Sequence, residues 1–132
     1  MRVDGWERLL WQAIEDARNK PFRWGAHDCA TFAFDTRLAL TGEDAAKAWR
    51  GRYRTARGAH MVLRRRLKAA SHEEAATAIL GAPLATIWLA QRGDIVLRGD
   101  SFGVCVGAEA AFLSPEGLVF WPLEPADKAW RV

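Results

Sequence analysis

Along residues 6–17, apolar side chains recur at helical spacing: Trp6, Leu9, Leu10, Ala13, Ile14 and Ala17. Glu7, Arg8, Gln12, Glu15 and Asp16 fall on the opposite side. That period predicts an amphipathic helix with one buried stripe. Asp4, with Glu7 three residues on, is the expected cap, and Pro21 enforces the stop. The next stretch differs. Ala30, Phe32, Ala33, Phe34, Leu38, Ala39 and Leu40 cover nearly every direction around a helix from about Asp28 to Leu40. Such a helix should be central, packed on most sides. Asp28 is its natural N-cap and Thr41-Gly42 its C-terminal stop. Residues 43–54 show no clear period. A third helix is expected from Thr55 to Ala70. Ser71 with Glu74 forms a capping box for a fourth, running through Leu80.

After Gln91 the pattern changes to short apolar runs divided by Gly, Asp, Ser and Pro: "GDIVLRG", "FGVCVG", "AAFLS" and "GLVFWPL". These read as four short strands joined by tight turns. Helices over about 1–90, then a β-meander over about 91–132, predict an α+β fold with the helices packed on an antiparallel sheet.

Composition adds bounds to this picture. The chain has 132 residues, half of them hydrophobic, which suits one globular domain with a single core. Seven Trp are many for this length; they either fill the core or build a docking surface. Nineteen basic and 16 acidic residues give a net charge of +3, too balanced to imply nucleic acid, and none is expected as a partner. The local excess is "RRRLK", Arg64 to Lys68, which is either a solvated helix surface or an electrostatic patch. The first 20 residues are charged every few positions and hold no apolar run. Neither a signal peptide nor a membrane span is expected, so synthesis should be cytoplasmic.

Candidate chemistry centres on Cys29. It falls in the first turn of the central helix, where unpaired amides and the helix dipole stabilise a thiolate. A nucleophilic cysteine needs that placement. Trp24 and Gly25, just ahead, would supply an apolar wall and a tight approach for substrate. Cysteine is also among the most buried residue types, so plain core packing is the other reading. His27, two residues before the thiol, can act as its base or can hydrogen-bond loop backbone and shape the turn. His60 and His72 read as surface residues of the helical part. His27, Asp28 and Cys29 are too contiguous to surround one ion, and no second ligand pair completes a site. No metal or other cofactor is expected. Cys105, among valines, reads as inert core, and both cysteines should be reduced.

The segment "W-G-x-x-D-C" leading into an apolar helix, followed by "Q-R-G-D-I-V-L" and "F-G-V-C-V-G", resembles the NlpC-type cell-wall peptidases. These are papain-like cysteine hydrolases that cut amide bonds in peptidoglycan peptides. The resemblance covers residues 22–40 and 91–107 and implies a papain-like fold with Cys29 at the nucleophile position. In that pattern a histidine base opens the second strand. Ser101 stands at this position here, and serine cannot take up a proton near neutral pH.

From end to end, the chain also resembles a family of small phage and prophage proteins sharing "F-x-W-G-x-H-D-C", "Q-R-G-D" and "A-W-R-V". Their genes tend to lie in tail modules. This resemblance implies a tail-tip component, made in the host cytoplasm and assembled into the virion tail beside other tail-tip and hub proteins. Two functions follow as expectations. One is a docking module that has lost its chemistry. The other is an active hydrolase that cleaves peptidoglycan peptides while phage DNA is delivered. A third, outside any virion, is a cytoplasmic amidase or acyltransferase.

Overall fold

The central helix organises the structure. In the computed structural model, which describes residues 1–132, α2 spans Cys29–Thr41. Asp28 caps it by accepting the Thr31 N–H at 2.9 Å, and Gly42 ends it at φ 79°. Thr31, Phe32, Ala33, Phe34, Thr36 and Leu40 are all buried, as expected of a helix without a polar face.

Three further helices surround it. The first, α1 (Trp6–Arg18), buries Leu10, Ile14 and Ala17 from the expected stripe. Its cap is a correction: Gly5, at φ 75°, occupies the N-cap, and no side chain caps the helix. Residues 43–54 hold only a single 3-10 turn, Ala46–Ala48, but they place Trp49 and Tyr53 in the core. The third helix, α3 (Ala56–Arg66), starts at the Thr55 cap and stops short of Ala70. Lys68 breaks it in the left-handed region, at φ 53°. The fourth, α4 (His72–Leu80), begins at the expected capping box. Ser71 Oγ accepts from the Glu74 N–H at 3.1 Å, and Glu74 reaches back to the Ala70 N–H at 2.7 Å.

The meander forms β1 (Ile95–Arg98), β2 (Ser101–Cys105), β3 (Glu109–Ser114) and β4 (Gly117–Pro122). A fifth strand, β5 (Lys128–Trp130), was not legible in the sequence, because three residues cannot show a period. It pairs antiparallel with β1, and the sheet order is β4-β3-β2-β1-β5. The fold is therefore α+β, four helices on a five-stranded antiparallel sheet. Phe34, Phe102, Val104 and Trp130 belong to the helix-side core. Val96, Cys105, Phe112 and Ala129 form a smaller cluster on the other face of the sheet, so Cys105 is core packing as expected. No helix is long and apolar enough to cross a membrane.

Candidate functional site

The loop before α2 is built around Asp28. Its carboxylate is almost fully buried, at 1% exposure, and accepts three hydrogen bonds. The donors are the Gly25 N–H at 2.8 Å, the Thr31 N–H at 2.9 Å and the Tyr53 hydroxyl at 2.6 Å. All three are neutral. Gly25 is required by close approach: it sits at φ 82°, and a Cβ there would lie 2.2 Å from the Tyr53 carbonyl oxygen. Its own carbonyl accepts from the Gly51 N–H at 2.8 Å. Trp24 is half-buried and packs edge-on against Phe22, 4.9 Å between centroids. Gly25 thus holds the loop against Gly51 and Tyr53.

Cys29 lies at the N-terminus of α2, where the sequence placed it. Its residue surface is partly exposed, yet its sulfur is poor in water contact. Burial pushes the thiol up to about 11, and the Asp28 charge adds to that rise. Peptide groups of Phe102, Ala30 and Cys29 itself pull the other way and do not prevail. The stabilisation offered by the helix N-terminus is outweighed by burial. Desolvation disfavours the anion, and an uncompensated carboxylate sits beside it.

None of the groups acting on the sulfur is an imidazole. His27 pairs through its backbone with Arg23, N–H to O 2.8 Å and O to N–H 2.9 Å. Its ring turns to the Ala17 carbonyl and a groove between α1 and α2. Burial lowers its pKa, and Nε2 is enclosed with no hydrogen-bond partner.

Ser101 opens β2 opposite Arg98. Side chains alternate along a strand. Phe102 faces the helices, 5.6 Å from Phe34, and Gly103 lies opposite Phe112 on the other face. Ser101 shares Gly103's side, away from α2. From β2, the group that reaches the Cys29 sulfur is the Phe102 peptide.

The reading of His72 as a surface residue is corrected. It is buried, and its ring packs 5.5 Å from Phe102 and 5.0 Å from His60. Its Nδ1 approaches Asp100 at 3.6 Å. Burial lowers its pKa; Asp100 opposes and His60 reinforces that shift. His60 is exposed, as expected, with Nε2 3.9 Å from Asp100. Both histidines therefore flank the start of β2, which the sequence reading placed far from them. No group of His, Cys, Asp and Glu is arranged to hold a metal ion.

A second buried carboxylate was missed. Asp94, at 0% exposure, meets Arg2 at 3.0 Å and Arg131 at 3.1 Å. Of these two, Arg2 donates a hydrogen bond and Arg131 forms an ion pair only; Asp94 also accepts the Gln91 N–H at 2.8 Å and the Val132 N–H at 2.9 Å. The segments "Q-R-G-D" and "A-W-R-V" thus meet at one residue, and Arg2 brings in the N-terminus. The available signal was the presence of an acid in one of these segments and an arginine in the other.

Fold and site together define a small α+β protein with a cysteine directly after the cap of its central helix. The chain belongs to the family described as domain of unknown function DUF6950, whose model matches residues 1–132. No curated protein matches it.

Proposed function

We propose that this protein is a tail-tip component of a phage or prophage virion, an NlpC-like, papain-like fold kept as a docking and assembly module. It is made in the host cytoplasm and joins other tail-tip and hub proteins. The motif resemblances supply the context. The observation that carries the loss of chemistry is the state of Cys29, a thiol raised to about 11 with no imidazole acting on it. A cysteine hydrolase needs a thiolate and a base within hydrogen-bond reach. A thiol raised by burial, contacted from β2 by a peptide group and not an imidazole, supports the loss of that chemistry.

Alkylation of the purified protein with iodoacetamide near pH 7 tests this. A free cysteine is a few per cent thiolate at that pH. Cys29 should therefore label on the order of a hundredfold more slowly than a free cysteine. Particles carrying Cys29→Ser should remain infectious. Rapid labelling, together with muropeptide cleavage that Cys29→Ala abolishes, would establish the hydrolase instead, with peptidoglycan as its substrate.

A further inference from the structure

The charges of this chain are strongly segregated. Residues 45–72 hold nine Lys and Arg and no Asp or Glu, while the other residues hold ten basic and 16 acidic ones. Arg50 alone among the nine is ion-paired, with Asp35 and Asp44. Arg52, Arg54, Arg57, Arg64, Arg65 and Arg66 are all exposed and have no carboxylate partner, and the same holds for Lys47 and Lys68. Arg57, Arg64, Arg65 and Arg66 lie on α3, a helix about 16 Å long, and the others precede or follow it.

The helix beneath them is lightly anchored. No residue of α3 is buried. Its inner stripe, Ala59, Val62 and Leu63, lines an apolar cavity of about 30 Å³ shared with Phe34, Phe102 and α4. Met61 is 43% exposed among the cations. Lys68 is the one non-glycine residue with positive φ. A side chain there costs about 1 kcal/mol relative to glycine. That conformation ends the helix, and the side chain it carries is a further unpaired cation.

We infer that the outer face of α3 and the loop before it form a docking surface for an acidic protein segment carrying an apolar anchor. This rests on the docking reading above and names its surface and partner. Like charges unrelieved by any internal acid are complemented by a partner's carboxylates, which steer association and set its register. The exposed Met61 offers a contact for an aliphatic anchor side chain. Nucleic acid fits less well. The exposed tryptophans, Trp11, Trp88 and Trp121, lie on other elements, and Trp49 and Tyr53 in the basic segment are buried, so bases have no stacking platform there.

The test uses the full chain and three fluorescein-labelled probes: a Glu/Leu amphipathic helical peptide, a Glu/Ser peptide of equal charge, and a 20-nucleotide DNA offered single- and double-stranded. The Glu/Leu peptide should bind most tightly. Arg64→Glu/Arg65→Glu/Arg66→Glu should weaken it by about tenfold or more, and raising salt should weaken it as well. Arg52→Glu/Arg54→Glu, in the loop before α3, repeats the test if the first variant does not fold. Binding unchanged by both variants, no preference for the Glu/Leu peptide, or DNA bound more tightly than either peptide would overturn the inference. Each of these leaves Cys29 labelling slow, so the docking reading would survive. Rapid labelling with cleavage would remove that reading whatever the peptides do.

Discussion

Asp28 and Asp94 are equally buried and differ in what surrounds them. Asp94 meets two guanidinium groups and two peptide N–H groups. Asp28 meets two peptide N–H groups and a phenol. A buried carboxylate needs hydrogen bonds in either case. Cations also cancel its field, and neutral donors leave most of it in place. Asp94 can therefore act as a clasp with little electrical consequence for its neighbours. Asp28 organises its loop and still opposes ionisation at Cys29, and burial together with its charge raises the Tyr53 hydroxyl well above its usual range. In this chain the N-cap carboxylate and the cysteine in the next position oppose one another, with no cation between them.

The largest expected effect tests the clasp. Asp94→Ala should lower stability by about 3 kcal/mol in urea unfolding, since it strands Arg2 and two peptide N–H groups. Arg131, 44% exposed at its side chain, contributes little of that loss. A cost below about 1 kcal/mol would mean that the termini are held by packing alone.

Asp28→Asn should cost less, about 1–2 kcal/mol, because one of three donors then faces an amide N–H instead of an acceptor. Its sharper outcome is electrical. The pH at which iodoacetamide labelling of Cys29 accelerates should move down from about 11. An unmoved profile would leave burial as the whole cause and break the contrast between the two aspartates.

The smallest effect concerns Asp100, a carboxylate that is 77% exposed beside His72. Water screens its charge, and burial wins, so His72 ionises below 6.5 in the folded protein. The unfolded chain then takes up the proton first as pH falls. Stability is full above about 6.5 and declines as pH drops from there toward the folded value. Urea midpoints between pH 7.5 and 5.5 should show this decline, and His72→Leu should flatten it. The part due to His27, lowered in the same sense, should persist.

Features that depend on neighbours a few residues away could be read directly from the chain. The Asp28 cap, the Gly42 stop, the box at Ser71 and Glu74, the apolar run of α2 and four of the five strands belong to this kind. Each is set by local backbone needs and by period, which a sequence displays. The Asp4 cap failed because Gly5, in a left-handed conformation, starts the helix instead.

The site required the assembled structure. Tyr53 reaches Asp28 across 25 positions, and Arg2 donates to the Val132 carbonyl across 130. β5 exists only because β1 offers it an edge. His72 is buried only because α4 lies over Phe102. By itself the sequence determined that a cysteine follows a cap at the head of an apolar helix. Tertiary structure decided what that cysteine can do, because ionisation depends on water access and on charges brought close by folding, and neither is a property of the local chain.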